Sequence, residues 1–170
     1  KDVAVFCLSL WGVNYKEYFT EAYRILDADG INAVSECIEL LKNSKAPVIL
    51  TPHPGEMARL CKTNVAEIES NRIGFAKQFA IEYGCTVVLK GSNTIVAQTN
   101  GEIHINNIGN PGMATGGSGD VLAGIMVSLV AQGFSPETSA KYAVYLHSAA
   151  ADRVAIKRSM HAMLPTDIIE

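Results

Sequence analysis

The residues best suited to chemistry lie between Asn110 and Gly124, N-P-G-M-A-T-G-G-S-G-D-V-L-A-G. Glycine stands at Gly112, Gly116, Gly117 and Gly119, and a carboxylate, Asp120, follows where an apolar helical pattern begins. Glycines let consecutive backbone N–H groups turn toward one point, and a helix start adds about half a positive charge there. Such a pocket suits a phosphate oxygen. Asp120 would repel a bound phosphate, so a loop built only for anions would be better served by Ser or Thr. A group that takes a hydroxyl proton beside a phosphoryl group, in contrast, has to be a carboxylate or a histidine. The simpler reading is a glycine-rich turn with Asp120 as N-cap of the helix. The loop carries neither the Lys-Ser or Lys-Thr of a Walker sequence nor G-x-G-x-x-G.

The loop needs a fixed base, and the residues after it supply one. Val121, Leu122, Ile125, Met126, Leu129 and Val130 recur at helical spacing, which buries one face of a helix and pins its start. Gly133 ends that helix, and Ser135-Pro136-Glu137 opens the next with Ser as N-cap and Pro at the first position. That second helix carries Tyr142, Tyr145, Leu146 and Ala149 to Ala151 as a packing face, with His147 as a core or interface histidine.

A second candidate stretch is T-P-H-P-G-E, Thr51 to Glu56, directly after the apolar run A-P-V-I-L at 46–50. Pro52 and Pro54 force their predecessors toward extended geometry, and Pro54 can open a helix through Met57, Leu60 and Cys61. His53 is then held at the carboxyl end of a strand, where open α/β sheets bind ligands, with Glu56 in the first helical turn. Glu56 as a dipole partner and His53 as a solvated loop residue is the alternative. Asp27 and Asp29 in D-A-D-G (27–30) are open to metal binding or to capping the next helix. Lys90, at the exit of C-T-V-V-L (85–89), is either a surface cation or a phosphate contact.

Around these stretches the chain alternates. Val3 to Leu8 reads as a strand, Tyr15 to Leu26 as a helix after a turn at Trp11-Gly12, and Ile31, Val34, Ile38 and Leu41 as a helical face. Asn64 to Tyr83 reads as one longer helix, and residues 93–98 and 102–106 as a hairpin around T-N-G-E. The expected fold is α/β: a mainly parallel sheet flanked by helices, with an edge hairpin.

Composition narrows the partners. The chain has 170 residues, 48% of them apolar and 18% charged, which is one globular domain. A net charge of −3 without a Lys/Arg cluster argues against nucleic acid. No apolar run reaches the length of a membrane span, and the opening residues lack a signal-peptide cleavage region, so a cytoplasmic protein with no membrane partner is expected. Cys7, Cys37, Cys61 and Cys85 are widely spaced, which favours buried thiols in a reducing compartment over disulfides or zinc. The start at Lys1 and the helix start P-T-D-I-I-E at the end suggest a piece of a longer polypeptide.

Taken in order, D-A-D-G (27–30), T-P-H-P-G-E (51–56), L-K-G-S-N-T (89–94) and G-N-P-G-M-A-T-G-G-S-G-D-V-L-A-G (109–124) resemble the NAD(P)H-hydrate dehydratases of the ribokinase-like superfamily. The resemblance runs from about Asp27 to the C-terminus and implies a ribokinase-like domain over residues 1–170 that lacks the N-terminal part of the family fold. It implies that a phosphoryl group from ADP or ATP activates the hydroxyl of hydrated NADH or NADPH (NADHX, NADPHX), and that elimination restores the reduced nicotinamide. Asp120 would be the catalytic base and contact the hydrate together with His53. Gly116, Gly117, Ser118 and Gly119 would form the anion hole, while Lys90, Gly91, Ser92, Asn93, Thr94 and Gly119 would line the nucleotide site. Glu56 stands at the acidic position of the N-x-x-E motif that related sugar kinases use near Mg2+, so a water-mediated Mg2+ contact is implied there. His53 replaces the Asn of those kinases, which favours the dehydratase over a small-molecule kinase. Homo-oligomers and an NAD(P)H-hydrate epimerase partner are also implied. One departure stands out. The family's G-P-G-L-G loop is replaced by C-L-S-L-W-G after Val3 to Phe6, so part of that loop and the strand after it are read as lost or altered, and a non-catalytic piece that folds with a partner segment is the third reading.

Overall fold

A computed structural model describes residues 3–6 and 23–170. Six strands form one sheet in the order β1 to β6: β1 (Val3–Phe6), β2 (Tyr23–Leu26), β3 (Val48–Leu50), β4 (Thr86–Leu89), β5 (Thr94–Ala97) and β6 (Ile103–Asn106). Neighbours from β1 to β4 run parallel, while β4–β5 and β5–β6 are antiparallel. The mainly parallel sheet with an edge hairpin is therefore present. The hairpin turn closes as the T-N-G-E signal requires, with Gly101 N–H donating to Gln98 O at 2.9 Å and Glu102 N–H to Asn100 Oδ1 at 2.9 Å.

Strand side chains alternate between two cores. Leu26, Val48, Leu50, Val87, Leu89, Ile95 and Ala97 face one, which is covered by α1 (Asp29–Ser35), α2 (Glu39–Lys42), α3 (Pro54–Leu60), α4 (Val65–Ser70) and α5 (Arg72–Tyr83). Ile25, Ile49, Val88 and Val96 face the other, covered by α6 (Ser118–Ala131) and α7 (Pro136–Lys157). A small third cluster joins α7 to α8 (Pro165–Ile169) through Ala151, Met163 and Ile168, with Met113 and Val121 packed on it. The glycine-rich stretch is anchored in two of these clusters, through Leu122 and Ala123 in the second and Met113 and Val121 on the third.

Four expectations change. The helix read over Tyr15 to Leu26 is wrong at its end: Tyr23–Leu26 is β2, paired with both β1 and β3, and residues 15–22 lie outside the described residues. The strand before D-A-D-G is therefore present and not lost. The expected first strand is present over Val3–Phe6; residues 7 and 8, and the Trp11-Gly12 turn, lie outside the described residues. Asn64 to Tyr83 is two helices, because Asn71 leaves helical geometry at φ −149° and caps α5 by accepting from Gly74 N–H at 3.1 Å. Finally, Tyr142, Tyr145 and Leu146 are exposed; the packed face of α7 is Ser139, Ala140, Ala143, Val144, His147, Ser148 and Ala151.

Candidate active site

The carboxyl ends of β2, β3 and β4 are tied together beyond their ladders. Thr51 donates from its N–H (3.0 Å) and its hydroxyl (3.2 Å) to Leu26 O, and Lys90 N–H donates to Pro52 O at 2.8 Å. Three loop entries, at Asp27, Thr51 and Lys90, are fixed side by side. This is the sheet edge at which open α/β proteins bind ligands.

Across that edge Lys90 Nζ donates to Asp27 Oδ1 at 2.6 Å and lies 3.9 Å from Glu56 Oε2. Asp27 and Glu56 are 4% and 6% exposed, so one ammonium balances two buried carboxylates. Asp27 is not a helix cap: the cap position of α1 is Ala28, without a side-chain bond. The 63-residue separation of Asp27 and Lys90 left nothing in the sequence to pair them.

His53 closes the start of α3. Its Nδ1 accepts from Gly55 N–H (3.0 Å) and Glu56 N–H (3.3 Å), while Glu56 Oε2 accepts from His53 N–H at 2.7 Å. This is a capping box with histidine in the Ser/Thr role. Because Nδ1 accepts, the ring proton sits on Nε2, which faces Glu56 Oε1 at 3.4 Å from a half-exposed ring. Glu56 therefore has both oxygens engaged in the cleft wall.

Helix α6 reaches the same place. Its cap position is Gly117, left-handed at φ 90°, and no side chain caps it. Asp120 is the third helical residue and exposed, so it is not the N-cap. A helix start without a side-chain cap presents first-turn amides to a ligand. Ser118 is the exception among the four proposed anion-hole residues: its N–H donates to Thr115 O at 3.2 Å and its side chain turns inward. Gly119 lies so close to the ion-pair cluster that a Cβ there would sit 2.9 Å from Asp27 Oδ2 and 3.6 Å from Lys90 Nζ. Gly119→Ala is accordingly expected to push Asp27 off Lys90, at a cost of about 1–3 kcal/mol in urea unfolding. An unchanged midpoint would mean that this contact is slack.

The Lys90 to Thr94 stretch is shaped by a residue the sequence reading passed over. Arg72, at the start of α5, donates through Nη1 to Ser92 O (2.5 Å) and through Nη2 to Lys90 O (3.2 Å) and Leu89 O (3.4 Å). Thr94 Oγ1 donates to Gly91 O at 3.0 Å, and Asn93 is left-handed at φ 56°. Gly91, Ser92 and Asn93 are exposed along the turn that this clamp holds.

Behind α6, Ser118 Oγ lies 3.3 Å from His147 Nε2, both residues buried. Burial pushes the His147 imidazole down to about 4, so it is neutral near pH 7. In the unfolded chain a histidine titrates near 6.5. Below that value the unfolded state binds more protons, and stability is expected to fall as pH drops from 6.5 toward 4, by up to about 1.4 kcal/mol per pH unit from this group. Chemical unfolding of wild type and His147→Gln from pH 7 to 4 checks this: the variant should show the shallower decline, and parallel declines would contradict it.

A family model for NAD(P)H-hydrate dehydratase matches residues 11–170. The chain belongs to the NAD(P)H-hydrate dehydratase family. A bifunctional NAD(P)H-hydrate repair enzyme of Moorella thermoacetica is 44% identical over 146 residues, which cover 86% of this chain and 28% of that protein. An ADP-dependent (S)-NAD(P)H-hydrate dehydratase of Neisseria meningitidis is 46% identical over 130 residues, 75% of this chain and 44% of that one. Among solved structures, an ADP/ATP-dependent NAD(P)H-hydrate dehydratase of Bacillus subtilis, co-crystallised with ATP/Mg2+ and soaked with CoA, superposes with a TM-score of 0.77 at 33% identity. It covers 86% of this chain and 53% of that one. The chain thus spans about half or less of the length of these dehydratase relatives.

Proposed function

We propose that this chain carries the nucleotide and phosphoryl half of an ADP- or ATP-dependent NAD(P)H-hydrate dehydratase, a lyase that returns (6S)-NADHX and NADPHX to NADH and NADPH. The observation that carries the reading is the meeting, at one sheet edge, of the uncapped start of α6 bearing Asp120 with Lys90 and the His53–Glu56 box. In this reading the transferring phosphoryl group lies against the amides of Gly116, Gly117 and Gly119, where preorganised dipoles meet developing charge. Asp120 takes the proton of the hydrate hydroxyl as its oxygen bonds to phosphorus. The bond from phosphorus to the nucleotide's leaving oxygen breaks, the phosphate then departs from the ring carbon with the former hydroxyl oxygen and the C–O electron pair, and the neighbouring ring carbon gives up a proton to solvent so that its C–H electrons form the restored double bond.

Lys90 to Thr94 hold the nucleotide, with Arg72 fixing their carbonyls. His53 offers the exposed side of its ring to the dinucleotide. Glu56 would hold Mg2+ only through the ion's own waters, because its oxygens already face His53 and Lys90. Among the described residues no three acidic, His or Cys side chains converge to cage a metal. The ion would neutralise phosphate charge there.

The reading includes a ribokinase-like domain over residues 1–170, cytoplasmic location, and supply of hydrate by an NAD(P)H-hydrate epimerase. No helix among the described residues is long and apolar enough to cross a membrane. Self-association is supported by an exposed stripe of Phe134, Tyr142, Tyr145 and Leu146, with the two rings at 134 and 142 edge to face at 6.0 Å. Product analysis tests the reaction class. A dehydratase releases free phosphate in step with reduced nicotinamide, whereas a stable phosphorylated product without NADH would assign the site to a small-molecule kinase.

A further inference from the structure

The glycine-rich loop has no secondary structure of its own between β6 and α6 beyond a 3-10 turn at Pro111–Met113, yet three polar residues on one side of α7 grip it. His147, Ser148 and Asp152 lie on neighbouring turns around the fully buried Ala151, and the loop passes so close that a Cβ at Gly109 would sit 3.2 Å from Ser148 Oγ. Asn106 Nδ2 donates to Ser148 Oγ at 2.9 Å, and both residues are buried. Asp152 accepts twice, from Gly109 N–H (2.9 Å) and from Asn110 Nδ2 (2.8 Å). Asn110 in turn accepts from Gly112 N–H at 3.1 Å and so starts the 3-10 turn. At the far end Ser118 Oγ meets His147. Both ends of the loop are therefore fixed to one rigid helix, while Gly116 and Gly117 between them stay exposed.

We propose that this ridge of α7 is the positioning element of the phosphoryl-binding loop, with Asp152 its principal positioning residue, and that it aims the Gly116, Gly117 and Gly119 amides without touching substrate. The inference rests on the proposed function only in taking those amides as the phosphate contacts. Its structural part stands alone: a carboxylate that accepts a backbone N–H and a side-chain amide makes strong, directional bonds. A loop 1 Å out of place can cost on the order of a hundredfold in rate.

The test compares Asp152→Ala, Asp152→Asn and wild type in the whole chain by amide hydrogen exchange, with and without ATP and Mg2+, and by steady-state recovery of NADH from NADHX. Loss of the clamp is expected to speed exchange over residues 106–118 by about tenfold or more while β4 amides keep their protection. It is also expected to lower kcat at least tenfold with KM for NADHX held within about twofold. Asn keeps one acceptor and should restore part of both effects. Unchanged exchange over 106–118, or faster exchange with unchanged kcat, would overturn the proposal. A wild-type chain that recovers no NADH defeats the functional reading by itself. The ridge is then judged on exchange: ATP and Mg2+ should slow it over 106–118 in wild type more than in Asp152→Ala, and equal slowing would overturn it.

Discussion

Asp120→Asn is expected to cut nucleotide-dependent recovery of NADH from its hydrate by about a hundred- to ten-thousandfold, the span of a lost general base. The side chain is exposed in the first turn of α6, so the near-isosteric change to Asn opens no cavity. Stability should drop by no more than about 1 kcal/mol, the worth of an acidic residue at a helix start. Asn has almost the same shape but cannot hold the hydroxyl proton, so binding of ATP with Mg2+ should persist or tighten slightly as a negative charge leaves the phosphate site. Kinetics, calorimetric titration and thermal unfolding on the same preparation separate these quantities. A variant that keeps more than a tenth of the activity would take the base role away from Asp120.

The second large effect is expected at Lys90. Lys90→Met leaves Asp27 and Glu56 side by side, nearly sealed from solvent and without their shared cation. Removing one partner of a buried pair costs about 3–5 kcal/mol in general, and Lys90 is 23% exposed, so on the order of 2–3 kcal/mol is expected in urea unfolding at neutral pH. Nucleotide affinity should fall about ten- to a hundredfold through the lost charged contact. The double variant Lys90→Met/Asp27→Asn distinguishes the two roles. With one carboxylate neutral it should regain most of the stability and none of the nucleotide affinity. Recovery of both together would mean that Lys90 acts only through the fold.

What could be read from the sequence were features written in a few adjacent residues. Pro54 and Glu56 around His53 dictate the start of α3, and T-N-G-E dictates the hairpin turn, because local sterics and local hydrogen bonds decide both. The glycine-rich turn and the helix that opens beside Asp120 were legible on the same ground. Strand β2 was not: four residues that carry a buried Arg24 among apolar neighbours continue a helical period, and only pairing with β1 and β3 makes them a strand. Asn71 breaks a twenty-residue helical pattern through its own side chain, a choice that propensity leaves open.

The pairings that shape the cleft were invisible for another reason. Asp27 with Lys90, Arg72 with the 89–92 carbonyls, Ser118 with His147 and Gly109 with Asp152 all join residues 17 or more positions apart. No spacing rule connects them; the parallel crossovers join the first two and the packing of α7 on α6 and its loop joins the others. Asp27 is the instructive case. Read locally it is a cap or a metal ligand, and in the fold it holds Lys90 at the exit of β4.

The central claim, that this chain repairs hydrated nicotinamide nucleotides at the expense of ADP or ATP, is tested most directly by one assay. NADHX is incubated with the chain, Mg2+ and either nucleotide, and the reduced-nicotinamide absorbance and free phosphate are followed together. Absorbance that returns only when nucleotide is present, with one phosphate released per NADH formed and no return in Asp120→Asn, is the predicted result. Absorbance that stays flat with both nucleotides, or that returns equally without them, would contradict the account.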